Sequence, residues 1–412
     1  MKGSRLYFIC LLLVAISCKK KDLDTGSIVQ PEVMRVYDEV GIRAVTDLTS
    51  GADLMLITCL DEQSRYLFKL ITNEGVELST YYSDLVFDNL QSVQGVLHNE
   101  AGHFDIFYGL DLYTLGYDGS ILSHQPNFLG GLSDLYEITE VAYNADGNYI
   151  LAGTASLSGN RAWVAAYDPA GNELYKRFFF INAQANQTYT SSVLLDDRSI
   201  MLAGTFESPG PDFSNAYFIS KLSPMGEMEW TRVYNTTMYS QVVESGSLSS
   251  NRVRGRDLLE TEPGRFLYFI NPRGRGYPEQ RITMVQFDEE GQELGAHVYL
   301  DFADINTSVG GAPYTGNIAV AVGNEKILGL SNPYYPNIQE NVFNSLTVSY
   351  NSPQHTYLFE LNNAGEFTTA EYANQDFNNY LTAIDQLSNG KIAMAGTIHS
   401  LGEELKLIIL IR

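Results

Sequence analysis

The feature that most restricts the fold of this chain is a motif that recurs from one end to the other. It consists of an apolar strand, a turn closing on glycine, and a second strand. Six copies stand in the sequence: Tyr66-Leu67-Phe68-Lys69-Leu70 with Gly75, Leu112-Tyr113-Thr114-Leu115 with Gly119, and Trp163-Val164-Ala165-Ala166-Tyr167 with Gly171, then Tyr217-Phe218-Ile219-Ser220-Lys221-Leu222 with Gly226, Ile282-Thr283-Met284-Val285-Gln286-Phe287 with Gly291, and Tyr357-Leu358-Phe359-Glu360-Leu361 with Gly365. Between them lie only short β-rich runs punctuated by Gly, Asn and Asp, and no long stretch keeps apolar residues at helical spacing. The chain reads as all-β.

A further hairpin lies upstream of each copy, as in Val141-Ala142-Tyr143, Asn144-Ala145-Asp146-Gly147, Tyr149-Ile150-Leu151-Ala152-Gly153. Each repeat is therefore a four-stranded meander with strands A to D, the unit of a β-propeller blade. The ends set the count. The last repeat stops at Lys406 to Arg412, a third strand without a fourth, while Val33-Met34-Arg35-Val36-Tyr37 matches Trp230-Thr231-Arg232-Val233-Tyr234, a fourth strand elsewhere. The expectation is a seven-bladed β-propeller of four-stranded antiparallel blades, closed by strand 33–37 pairing with strand 406–412, which would hide two sheet edges. A β-sandwich or a β-helix built from the same hairpins is the competing architecture.

The N-terminus reads as an address. Lys2 and Arg5 precede an apolar run, Leu6 to Ile16, too short to span a bilayer. The following Val14-Ala15-Ile16-Ser17-Cys18 resembles the lipobox of bacterial lipoproteins, which implies cleavage after residue 17 and lipidation of Cys18. The domains expected are a signal peptide at 1–17, a lipidated cysteine with a polar tether at 18–31, and one propeller at 32–412. In Gram-negative lipoproteins an Asp after the cysteine implies retention at the inner membrane. Lys19 stands there, so the resemblance implies the outer membrane, with the leaflet left open. The repeats resemble those of bacterial β-propeller lipoproteins with quinoprotein-like (PQQ-like) repeats, Gly226-Glu227-Met228-Glu229-Trp230 being the nearest match. Other repeats put Tyr, Phe or an aliphatic residue in place of that Trp, and no cofactor is expected.

Charge narrows the partner. With 26 Lys and Arg against 49 Asp and Glu, the net charge of −23 opposes a polyanion-binding groove, so no nucleic acid is expected. Cys10 leaves with the signal and Cys18 carries lipid, leaving Cys59 as the one free thiol. It sits in Leu54-Met55-Leu56-Ile57-Thr58-Cys59, where a buried, inert side chain is expected.

In a meander blade the A–B and C–D turns share one face, and the B–C and D–A connections share the other. Here the first set is tight. The longest of the second set run from Asn235 to Gly255, Asn271 to Arg281, Leu300 to Gly316 and Ser331 to Thr356. Long ordered loops are disproportionately functional, so the candidate surface is this face over blades five and six. It carries Arg252, Arg254, Arg256, Arg273, Arg275 and Arg281, whose guanidinium forks suit carboxylates, sulfates or phosphates. Pairing with the nearby Asp257, Glu260, Glu262 and Glu279 is the bland alternative. Tyr239, Tyr277, Tyr314, Tyr334, Tyr335 and Phe343 add rings that stack on sugars, fill an interface or pack the loops down.

Catalytic signatures are missing from the sequence. His98, His103, His124, His297, His355 and His399 show no zinc spacing, and His98 and His103 are expected on an exposed turn. Turns such as Asp288-Glu289-Glu290-Gly291 lack the register of a calcium loop. Neither a Gly-x-Ser-x-Gly elbow nor a Walker loop occurs, and no catalytic residue or metal ligand is assigned. The expectation is a membrane-anchored, non-catalytic binding or scaffold module for a protein or glycan. The alternative is a carbohydrate-active enzyme, hydrolase or lyase, with acids such as Asp301 and Asp304 and Arg around a central axis.

Overall fold

The computed structural model describes residues 33–37, 42–87, 92–132, 136–156, 160–179, 181, 186–207, 216–235, 252–273, 281–301, 318–322, 326–331, 357–362, 367–372, 378–399 and 405–412. Among these the chain makes β1 (Val33–Tyr37) and then a succession of meanders. The first sheet is β2 (Ile42–Ser50), β3 (Leu54–Asp61), β4 (Arg65–Thr72) and β5 (Glu77–Val86). The second is β6 (Val93–Asn99), β7 (His103–Tyr108), β8 (Asp111–Gly116) and β9 (Ile121–Gln125). The third is β10 (Tyr136–Tyr143), β11 (Tyr149–Ser156), β12 (Asn160–Tyr167) and β13 (Glu173–Phe179). The fourth is β14 (Asn186–Leu194), β15 (Ile200–Glu207), β16 (Ala216–Leu222) and β17 (Met228–Asn235). The fifth is β18 (Arg252–Glu262), β19 (Arg265–Arg273), β20 (Arg281–Asp288) and β21 (Glu293–Asp301). The sixth is β22 (Ile318–Val322), β23 (Lys326–Ser331), β24 (Tyr357–Asn362) and β25 (Phe367–Tyr372).

The seventh sheet joins both ends of the chain. β26 (Asn378–Gln386), β27 (Ile392–His399) and β28 (Lys406–Ile411) are completed by β1, with Val33 opposite Ile411 and Tyr37 opposite Leu407. Among the described residues there are thus seven four-stranded antiparallel sheets, an all-β arrangement consistent with a propeller. A two-sheet sandwich and a β-helix do not describe it.

The reason for the continuous apolar runs is that both faces of a sheet are buried. Successive side chains in β3 go to opposite faces. Met55, Ile57 and Cys59 pack toward the seventh sheet, against Ala393, Leu407 and Ile409. Leu54, Leu56 and Leu60 pack toward the second, against Val96, Phe104 and Ile106. Equivalent layers lie between the second and third, third and fourth, fourth and fifth, and sixth and seventh sheets. Cys59 is buried, as expected. First strands lie beside first strands throughout: β2 by β6, β6 by β10, and so on to β26, which lies by β2.

The outer part of each seam uses the repeat glycine. Gly226 and Gly291 have φ of 71° and 73°, where a side chain is strained. A Cβ on Gly226 would strike the ring of Tyr175, and one on Gly291 would lie 2.5 Å from Trp230. Each turn therefore rests on the outer strand of the preceding sheet. Gly365 falls outside the described residues.

Candidate functional site

The nominated surface divides in two. Arg252, Arg254 and Arg256 lie in β18 and Arg273 ends β19, with Arg252 opposite Arg273 and Arg254 opposite Asn271. This corrects the expected connections, because residues 252–255 and 271–273 are strand, as is Leu300 in β21. The physical reason is plain in the residues. Arg252-Val253-Arg254 alternates charged and β-branched positions with the period of a strand, and a long charged side chain does not prevent pairing. Arg281 opens β20 opposite Asp301. Tyr239, Arg275, Tyr277, Tyr314, Tyr334, Tyr335, Phe343, Asp304 and Cys18 lie outside the described residues, as does most of each long connection. Of the nearby acids, Glu262 approaches Arg265 at 3.8 Å, and Glu260 accepts a hydrogen bond from the Gly264 N–H at 3.0 Å.

Arg256 differs in place from its neighbours. The register of β18 on β19 slips between Gly255 and Asp257, leaving Arg256 as the extra residue of a bulge. Equivalent slips leave Thr46, Gln94, Thr139, Thr190 and Thr382 on the first strands of five other sheets. A bulge bends its strand and re-aims a side chain. Thr46 and Thr139 are solvent-exposed although their strands are flanked by other sheets. Thr382 donates its hydroxyl to the Val45 carbonyl at 2.7 Å, tying the seventh sheet to the first.

Beside these bulges sit carboxylates that sequence reasoning missed. Asp47 follows Thr46, and Glu140 follows Thr139. Burial raises the Asp47 carboxyl from 3.8 to about 6, with repulsion from Asp385 adding to it against a hydrogen bond from the Leu48 N–H. Asp385 is also raised by burial, and its Oδ2 accepts from the Ser50 N–H at 2.7 Å, bridging the seventh and first sheets. Glu140 is raised by burial despite accepting from Tyr189 Oη and from the Ser192 N–H at 2.7 Å, which bridges the third and fourth. Asp105, within β7, takes the hydroxyls of Tyr143 and, at 2.6 Å, Tyr149. Asp385, Glu140 and Asp105 are each held by groups from the next sheet, which is the chemistry of a seam, while Asp47 accepts within its own strand. The recurring Thr-Asp and Thr-Glu pairs were the available signal.

His98 and His103 correct a further expectation. They lie on β6 and β7, half-buried rather than on an exposed turn. His98 shares a 2.5 Å hydrogen bond with Tyr117 Oη and packs on Phe104, and burial lowers its pKa. The turn is only as long as Glu100 to Gly102, so the ring falls back into the seam. Among the described residues no cluster of His, Cys, Asp and Glu is arranged to hold a metal ion.

No family model matches this chain, and no curated protein matches it. Solved structures with a similar fold include a protein of unknown function from Bacteroides caccae, 16% identical over 63% of this chain and 83% of that one, with a TM-score of 0.39. The WD40 domain of Neurospora crassa Pan2 is 8% identical over 92% of this chain and 95% of that one, with a TM-score of 0.49. A subtype N10 neuraminidase-like protein named for a little yellow-shouldered bat is 7% identical over 92% of this chain and 98% of that one, with a TM-score of 0.38. These are likenesses of fold, without a ligand or reaction carried across.

Proposed function

We propose that the chain is a lipoprotein, anchored through Cys18 in the outer membrane of a Gram-negative cell envelope, whose seven sheets close into a seven-bladed propeller. It acts as a binding or scaffold module for a protein or glycan, received on the face of long connections over the fifth and sixth blades. The closure reading is supported by the order of first strands and by the β1 to β28 pairing. The observation that carries the functional reading is the inequality of the two faces. Turns such as Asp168 to Asn172 close on themselves through backbone and side-chain hydrogen bonds. On the other face the connections spanning 236–251, 274–280, 302–317 and 332–356 are much longer. A rigid platform that concentrates its chain length, arginines and tyrosines at one end is built to recognise.

The test replaces Arg273, Arg275, Tyr334 and Tyr335 with Ala. Retention on immobilised polygalacturonate or heparin, or capture of an envelope protein, should fall about tenfold or more, while the melting temperature stays within about 2 °C. Unchanged capture, or a loss of stability equal to the loss of capture, would turn those residues into loop packing. Cleavage of the glycan during the assay would favour the enzyme reading.

A further inference from the structure

The two ends of β1 are not equivalent. Val33 is opposite Ile411, Ile411 is opposite Ala393, and Ile392 and Arg412 exchange both backbone hydrogen bonds. Ile392 follows directly on the Leu387 to Lys391 turn, which joins β26 to β27 and belongs to the face of tight turns. A Cβ on Gly75, in the turn between β4 and β5 on that same face, would meet the side chains of Arg35 and Val33 at 2.9 and 3.3 Å. The strand therefore starts at the tight-turn end, and Val33 is the described residue nearest the anchor.

We infer that the anchor approaches the propeller from the face of tight turns, so that this face is held toward the lipid surface and the face of long connections is presented away from it. The inference rests on the anchored, loop-binding reading above and adds a direction to it. The fifteen steps from Cys18 to Val33 have a root-mean-square reach of about 20 Å as a flexible chain. An eight-residue strand such as β4 is about 26 Å long, so the two faces differ in height by more than the typical reach of the tether. The near face is also acidic. Glu74, Asp118, Glu227 and Glu290 project from its turns and are exposed. Anionic lipid repels such a surface within about a Debye length, so the propeller stands slightly off the bilayer while remaining within the reach of the tether.

The experiment measures energy transfer to a headgroup acceptor in vesicles of phosphatidylethanolamine and phosphatidylglycerol. Donors are placed through an encoded azidophenylalanine at Ala145 or Ala170, both exposed in tight turns, and at Val86 or Ser156, both exposed at the opposite strand ends. Transfer from 145 and 170 should exceed that from 86 and 156 by about twofold or more, given a height difference near one strand length. Equal transfer, or the reverse order, overturns the orientation. Flotation of wild type against Cys18→Ser tests the anchor separately. Should both float alike, the chain is coupled through the residue 18 thiol to a maleimide lipid in a Cys59→Ser background, and the same comparison decides the orientation without natural lipidation.

Discussion

The seam between the fourth and fifth sheets and the seam between the seventh and first use the same contacts, although the chain is continuous through one and ends at the other. In the first, Trp230 and Arg232 lie against Gly291, and Tyr234 donates its hydroxyl to the Gly291 carbonyl. In the second, Val33 and Arg35 lie against Gly75, and Tyr37 donates to the Gly75 carbonyl at 2.7 Å. The latch is therefore a property of the repeat and owes nothing to connectivity. What differs is the side chain at its centre. A large indole fills the continuous seam, and a valine the terminal one. The terminal seam has a different reinforcement in Lys69, fully buried, 2.7 Å from Glu77 and 5.0 Å from the Tyr37 ring centroid. Glu77 lies on β5 and stays with Lys69 whatever β1 does, but the Tyr37 ring comes from β1, so losing that strand takes away the ring that covers the buried ammonium.

Removing β1 should therefore have the largest effect. A chain lacking residues 33–37 loses one side of the β28 ladder, uncovers Gly75 and strips the ring from Lys69. The expected outcome is loss of a cooperative melting transition, followed by calorimetry, together with aggregation through the bared β28 edge. A sharp transition near the wild-type temperature would mean that β1 is an accessory. Next in size are the two glycine substitutions. Gly291→Ala meets a rigid indole as well as a positive φ, and should cost about 2–4 kcal/mol in denaturant titration. Gly75→Ala meets a flexible arginine methylene, which can move, and should cost about 1–2 kcal/mol, mostly from φ. Equal costs would remove the distinction between the two latches.

The residues that made the fold legible are those whose burial does not depend on a particular neighbour. The run Leu54 to Leu60 is apolar at nearly every position because each face meets a sheet, whichever sheet it is. Gly75, Gly119, Gly171, Gly226 and Gly291 marked the outer hairpins because all five need positive φ. The match of 33–37 to 230–234 worked for the same reason: Val33, Arg35 and Tyr37 stand where Trp230, Arg232 and Tyr234 stand against the next turn. The seams were illegible where a residue's role is set by the adjacent sheet. Asp385 is meaningful only beside Ser50, far from it in sequence, and Asp105 only beside Tyr143 and Tyr149. At the candidate surface, the clustering of arginines was visible, but that Arg256 sits in a bulge and Arg252 in a paired strand was not, since register depends on the partner strand.

The smallest effect separates the seams by charge. Asp47 and Asp385 both belong to the seam between the seventh and first sheets, and both resist ionisation. The Asp47 carboxyl titrates near 6 in the folded chain against 3.8 ordinarily, so folding disfavours its charged form. A raised carboxyl contributes no penalty well below its ordinary value of 3.8, where it is protonated folded and unfolded alike. The penalty grows as pH rises toward 6 and is constant above it. Asp47→Asn keeps an oxygen to accept from the Leu48 N–H while removing the charge. It should match wild type near pH 3 and exceed it near pH 7.5 by about 1–2 kcal/mol, less than the full shift implies because the side chain is only partly enclosed. Denaturant titrations at the two pH values decide it. An equal difference at both would trace the effect to packing, and a variant less stable at pH 7.5 would mean that the Asp47 charge holds the two end sheets together.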